Sequence, residues 1–207
     1  MTTIALIGDS HAEVLFPLLR PALAAQGYTV ALSEARRGWS EASYLRDSGF
    51  PARLRAARPE VALIHLGGNN TQSGAAYAAT VARMMDELRA AGVKRVYWIG
   101  PYVATSNTAD AARRHAMTAE EQARVLPTLG ARWLDTRPFS GSGHSDGIHF
   151  TRTAYADFAR RIAAWMEAPE TGISLPSTGA GGGGWAWPVA GAAAVLLIGW
   201  VVRRMRG

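Results

Sequence analysis

Short apolar runs alternate along this chain with longer segments of helical periodicity. Residues 2–7 form an apolar run closed by Gly8 and predict a first strand. Residues 11–26 place Val14, Leu15, Leu18, Leu19, Ala22 and Leu23 at i, i+3, i+4 spacing, the apolar face of a helix. Gly27 follows at a position where a helix end often needs positive φ. Residues 28–33, 61–66, 93–99 and 132–134 predict further strands. Residues 75–91, 109–126 and 151–167 predict helices, the first closed by Gly92 and the last opened by Thr151 as N-cap. The turn Gly67-Gly68-Asn69-Asn70 follows the third strand, and Gly100-Pro101 stops the fourth.

Strands alternating with helices of this length imply right-handed βαβ units and a parallel sheet covered on both faces. The expected fold class is therefore α/β, a flavodoxin-like three-layer α/β/α sandwich around about five parallel strands. Ligands in such sheets bind outside the carboxyl ends of the strands. Asp9 and Ser10 follow the first strand, Gly38 lies beyond the second, and Asn69 follows the third.

The pattern changes after Glu170. Residues 171–184 are rich in Gly, Ser, Thr and Pro and read as a flexible linker. Residues 185–202 form an uncharged apolar run with Trp185, Trp187 and Trp200 near its ends. As a helix it spans about 27 Å, close to a bilayer core, and basic residues 203–207 come after it. The expected organisation is a catalytic domain over 1–170, a linker over 171–184, a candidate transmembrane segment over 185–202 and a basic tail. A buried helix docked on the domain is the alternative for 185–202.

Composition narrows the chemistry. The chain has 207 residues, is 48% hydrophobic and 18% charged, and so has the make-up of a globular protein. Its lack of cysteine excludes disulfides, thiolate zinc sites and a cysteine nucleophile, and leaves the redox compartment open. The net charge of +6 comes almost wholly from arginine, Lys94 being the lone lysine. The arginines are scattered and form no basic stripe interleaved with aromatics, so no nucleic-acid partner is expected. No cluster has metal-ligand spacing, and neither a metal nor an organic cofactor is expected.

Three stretches carry candidate chemistry. Ser10, in Gly8-Asp9-Ser10-His11, sits where a strand turns into a helix, so free backbone N–H groups lie near its hydroxyl. A plain helix cap reads equally well from the tripeptide alone. Asp146 and His149, in Asp146-Gly147-Ile148-His149, have the spacing for a general base and the carboxylate that fixes its tautomer. An Asx-turn beside a surface histidine is the plain alternative. In the Gly67-Gly68-Asn69-Asn70 turn, the Asn69 carboxamide is placed to donate to a developing negative charge. Among the remaining histidines, His11 and His144 are candidate substrate-binding residues lining the pocket. His65 reads as a packed, hydrogen-bonded core residue and His115 as a solvated one.

Together these stretches resemble the SGNH hydrolases, a branch of the GDSL esterases and lipases. The resemblance covers about residues 3–167. Its blocks fall on Gly8-Asp9-Ser10, on Gly38, on Gly67-Gly68-Asn69 and on Asp146 with His149. Two positions depart from the family pattern: Asn70 stands where aspartate is common, and Ala154 where glycine is usual. The resemblance implies Ser10 as nucleophile, His149 as general base and acid, and Asp146 as its orienting carboxylate. It also implies an oxyanion hole built from the backbone N–H groups of Ser10 and Gly38 and the side chain of Asn69.

The implied activity is hydrolysis of a small carboxylic ester, an O-acetyl group of a glycan or a short acyl lipid. An O-acyltransferase running through the same acyl-enzyme, and a membrane-tethered binding module, are the alternatives. The loops 101–108 and 136–145 are expected to shape the pocket.

The tail adds a further expectation. Leu175-Pro176-Ser177-Thr178-Gly179 matches the LPxTG pattern read by sorting peptidases, and the glycine run 181–184 resembles another type of sorting tail. Both, with the positive-inside rule, place the domain outside the cytoplasm, although Met1 leads directly into the first strand without an export leader. The expectation is a membrane-anchored or cell-surface protein, with a cytoplasm-facing tail anchor as the alternative.

Overall fold

The computed structural model of the protein describes residues 1–102, 109–139 and 143–168. The expectations placed on 171–207 (linker, membrane segment, sorting pattern and basic tail) lie outside the described residues, as does most of the 101–108 loop. Among the described residues no helix is long and apolar enough to cross a membrane.

Five parallel strands, β1 (Thr2–Gly8), β2 (Tyr28–Ala35), β3 (Val61–His65), β4 (Arg95–Ile99) and β5 (Ala131–Leu134), lie in the order β2-β1-β3-β4-β5. Among the described residues, six α-helices connect and cover them: α1 (Ser10–Ala25), α2 (Glu41–Arg46), α3 (Phe50–Ala57), α4 (Gly74–Ala90), α5 (Ala109–Val125) and α6 (Arg152–Glu167). The chain reverses direction across the sheet at β1 and β3, the switch point where open α/β sheets form their crevice.

Burial follows position in the sheet. Every residue of β3 is buried, whereas the edge strand β2 alternates between half-buried and exposed positions along most of its length. Two apolar cores flank the sheet. One packs Leu15, Phe16, Leu19 and Leu23 of α1 against Phe158 and Ile162 of α6. The other packs Tyr77, Val81, Met84 and Leu88 of α4 against Ala5, Ile7, Ile64 and Trp98.

Several details differ from the sequence expectations. Helix α1 buries His11, Ala12, Leu15, Phe16, Leu19 and Leu23, while Val14 is 38% exposed. The true apolar stripe is thus rotated from the expected one, with Phe16 in place of Val14. Pro17 and Pro21 lie within α1. The helices α2 and α3 were not expected at all, and each is too short to show a helical period (6 and 8 residues). Strand β4 begins at Arg95 rather than at residue 93, because Val93 donates to Leu88 O in the turn that ends α4.

The register fixes where the site forms. Gly8 pairs with Ala35 on one side and with His65 on the other. The chain therefore leaves β1, β2 and β3 at one level, bringing residues 9–10, 36–39 and 66–69 side by side.

Candidate active site

Gly8 ends β1 under the first turn of α1. A Cβ there would lie 2.2 Å from Ala12 Cβ and 3.0 Å from His65 O, so glycine alone lets the helix start so close to the sheet. Asp9 is the N-cap of α1, and its Oδ1 accepts the His11 N–H (3.0 Å). Ser10 is the first helical residue, half-buried, beside N–H groups that have no partner within the helix.

His149 and Asp146 lie on the loop before α6. That loop is folded back on itself: Thr151 donates to Gly143 O (3.0 Å) and Ser145 to His149 O (2.8 Å), with Gly147 at φ 84° making the turn. Asp146 Oδ1 accepts the N–H groups of Ile148 (2.9 Å) and His149 (2.6 Å), an Asx-type turn. Its Oδ2 lies 2.8 Å from His149 Nδ1, and His149 Nε2 lies 2.8 Å from Ser10 Oγ. The hydrogen bond from His149, with those of the two backbone N–H groups, holds the Asp146 carboxyl well below the usual carboxylate range. Asp146 is thus an anion over all ordinary pH, although half-exposed, and it fixes the proton of His149 on Nδ1. Nε2 is left to accept from Ser10.

The two other expected donors converge on the same edge. Gly38, at φ 72°, turns the chain after β2, and Asn69 follows β3. Asn69 Nδ2 donates to Trp39 O (3.2 Å), so the two loops are joined directly. Asn70, where the family pattern has aspartate, is buried and well bonded. It donates to Gln72 O (2.8 Å) and Thr118 Oγ1 (3.1 Å), and its Oδ1 accepts Gln72 N–H (2.9 Å). This constellation can lower the barrier to attack of a serine hydroxyl on an acyl carbonyl and hold the resulting oxyanion.

Solved ester hydrolases share this fold. The chain resembles the lipase/acylhydrolase from Enterococcus faecalis with a TM-score of 0.66 and 19% identity, over 80% of this chain and 95% of that one. It resembles TesA with a TM-score of 0.62 and 21% identity, over 80% of this chain and 98% of TesA. It resembles a catalytic mutant of Axe2, an acetylxylan esterase from Geobacillus stearothermophilus, with a TM-score of 0.67 and 13% identity, over 81% and 95% of the two chains. No protein-family model and no curated protein sequence matches the chain.

Two histidines outside the Ser10–His149–Asp146 triad require correction. His11, expected to line the pocket, is buried instead: its Nδ1 lies 2.7 Å from the Tyr155 hydroxyl and its ring 4.9 Å from that of His149. Burial, opposed by the charge of Asp9, lowers its pKa to about 3, so it stays neutral beneath the triad. His115, expected in solvent, is buried too, with Nδ1 2.5 Å from Tyr102 O and a pKa lowered by burial. The face of α5 that carries His115, Thr118 and Gln122 packs inward, and its polar character hid this.

His65 is in the core as expected, but neither ring nitrogen makes a hydrogen bond. Nδ1 stands 3.3 Å from Asp9 Oδ1, out of line. Burial alone would raise the Asp9 carboxyl, yet the His65 ring beside it and the hydrogen bond from the His11 N–H bring it below its ordinary value. His144 is half-buried and lies against Phe150, ring centroids 4.3 Å apart. Among the described residues no group of three or more His, Asp or Glu could hold a metal ion.

A supporting network escaped the sequence reading. Glu41, at the start of α2, is buried, and its Oε1 accepts from the Tyr77 hydroxyl (2.9 Å). Gln122 Nε2 donates to Tyr77 Oη (3.0 Å) and to Leu66 O (2.9 Å). The chain of contacts ties α2, next to Gly38, to the end of β3, next to Asn69. A lone glutamate in a short helix offers no sequence signal for this role.

Proposed function

We propose that this protein hydrolyses small carboxylic esters through an acyl-enzyme on Ser10. The observation that carries the reading is the unbroken relay Asp146–His149–Ser10, two contacts of 2.8 Å, the second of which joins opposite ends of the domain. In the reaction, Ser10 Oγ attacks the acyl carbonyl while His149 Nε2 takes its proton. The imidazolium then returns that proton to the departing alcohol. Water repeats the cycle and frees the acid. Asp146 orients His149 and stabilises its charged form. The N–H groups of Ser10 and Gly38 and the amide of Asn69 face the oxyanion. The shared fold with an acetylxylan esterase and an acylhydrolase supports a small acyl group on a glycan or lipid alcohol as substrate.

The test is p-nitrophenol release from short-chain p-nitrophenyl esters by the full chain beside its Ser10→Ala variant. Release is expected from the parent and is lost in the variant. Equal rates in the two proteins would sink the proposal.

A further inference from the structure

An open cleft of about 550 Å³, lined by Arg36, Trp39, Ser43, Arg46 and Asp47, adjoins the loop that carries Gly38. Trp39 follows Gly38 in the chain and holds the Asn69 amide through its carbonyl, so one residue both lines the cleft and contacts an expected oxyanion donor.

The charges in the cleft do not balance. Arg53 takes both oxygens of Glu34, Nε to Oε1 at 2.5 Å and Nη2 to Oε2 at 3.0 Å, and also meets Asp47 Oδ2 at 2.7 Å. Asp47 Oδ1 accepts the Gly49 N–H (3.0 Å). Both carboxylates are therefore occupied before Arg36 and Arg46 are considered. Arg36 is left with a long 3.5 Å contact to Glu34 Oε2, and its guanidinium stacks 4.6 Å over the Trp39 ring. Arg46 has a single polar contact among the described residues, 3.4 Å to Ser43 Oγ, and no carboxylate within ion-pair distance. Arg53 thus holds both carboxylates, Arg36 adds only the 3.5 Å contact to Glu34 and Arg46 pairs with neither, so the excess cation faces the cleft.

The lining also discriminates between ligand types. An acyl chain needs an apolar, enclosing wall, whereas four of these five residues are charged or hydroxylic and the cleft is open. A planar guanidinium matches a carboxylate in bidentate geometry, and the Ser43 hydroxyl adds a polar group for a sugar. We propose that this cleft is a subsite for an acidic sugar, the Arg36 and Arg46 guanidiniums holding a uronate carboxylate of the ester substrate. The inference rests on the reading of Ser10 as the nucleophile of an ester hydrolase, and it narrows that reading to esters on acidic glycans.

Binding and turnover separate the two ideas. The full chain carrying Ser10→Ala is titrated calorimetrically with oligogalacturonate and with its methyl-esterified form, which has the same backbone without the charge. The acid is expected to bind about tenfold tighter at low salt, with the advantage shrinking as salt is added and vanishing when Arg46→Gln is added to Ser10→Ala. In the active chain, Arg46→Gln leaves p-nitrophenyl acetate hydrolysis within about twofold while acetate release from O-acetylated oligogalacturonate falls about tenfold. Equal binding of acid and methyl ester, or an acid preference that survives Arg46→Gln, overturns the subsite. Selective binding in a chain that hydrolyses no ester supports the subsite and overturns the hydrolase reading.

Discussion

The side-chain amide of Asn69 donates to the main-chain carbonyl of Trp39 across 3.2 Å, joining the loops that follow β3 and β2. One N–H of the amide is spent on this contact, and it fixes the direction of the other. An oxyanion donor gains from being held before the charge develops, because nothing need reorganise during the reaction. Asn69→Ala is expected to lower kcat by roughly 100- to 1,000-fold, as loss of one such donor does. Asn69→Asp keeps the shape but replaces donors with a negative charge, and should be at least as damaging. A kcat loss under about threefold for the alanine variant would remove Asn69 from the oxyanion hole.

Asp146 carries three hydrogen bonds, so deleting it and altering its chemistry are different experiments. Asp146→Asn keeps an oxygen for the backbone N–H groups of Ile148 and His149. Its amide, however, donates to His149 Nδ1, moving the imidazole proton to Nε2, where it can no longer accept from Ser10. The expected result is a fall in kcat/KM of roughly 10³- to 10⁴-fold, with Tm nearly unchanged. If kcat/KM falls less than about tenfold, Asp146 does not set the tautomer.

The part of this architecture that repeats along the chain was legible in the sequence. The five strands and the four long helices between and after them follow from apolar runs and periodicity. The register that gathers residues 10, 38 and 69 follows from the parallel pairing those elements require. The pairing of His149 with Ser10 was implied only by the resemblance of the two blocks to the SGNH pattern; the packing of α1 against α6 that brings them together has no linear signal. What could not be read depends on sites where one residue's environment is set by distant chain. His115 and Gln122 lie on a polar helical stretch, and only the docking of α5 against the β3 loop buries them. Val14 and Phe16 are equally apolar, and the choice between them is made by the rotation of α1 on α6.

Glu41 gives the fold a measurable pH signature. Burial pushes its carboxyl up to about 7 from an ordinary 4.5, even though Tyr77 donates to it; the buried Tyr77 hydroxyl and the Asp9 carboxylate are the titratable groups that act on it. The folded state thus binds the Glu41 proton more tightly than the unfolded chain does. This contribution is fully present below pH 4.5, is lost as pH rises, and is gone above about pH 7. Its size is about 3 kcal/mol. His11, depressed to about 3, works in the opposite direction between 6.5 and 3, so the whole-protein curve mixes the two. The Glu41→Gln variant separates them. Urea unfolding of both proteins from pH 4 to 8 should show the variant gaining on the parent by about 3 kcal/mol across the window and holding that gain above it. Parallel curves would mean that Glu41 does not stay protonated in the fold.

Gly8 tests whether the nucleophile's position depends on how closely α1 approaches β1. A methyl group at this position meets Ala12 Cβ at 2.2 Å, His65 O at 3.0 Å and Phe16 Cζ at 3.2 Å. Ala12 Cβ moves only with the helix, and His65 O is held in the sheet, so neither can yield alone. Gly8→Ala must push the first turn of α1 away from β1, at a cost of about 1–3 kcal/mol or somewhat more. Ser10 moves with that turn, away from His149 Nε2, and an ångström-scale misplacement typically costs on the order of 100-fold in rate. Gly38→Ala provides the contrast: nothing lies within 4 Å of its Cβ, and its cost is the strain of φ 72° in the loop alone. Adding Ala12→Gly to Gly8→Ala removes the main clash. It should restore most of the lost activity, although the helix gives up about 1 kcal/mol of propensity. Circular-dichroism melts and p-nitrophenyl acetate rates of the two single variants and the double variant measure the coupling. If Gly8→Ala melts within a degree of the parent and keeps its rate, the start of α1 is free to adjust and the steric argument for Ser10 fails.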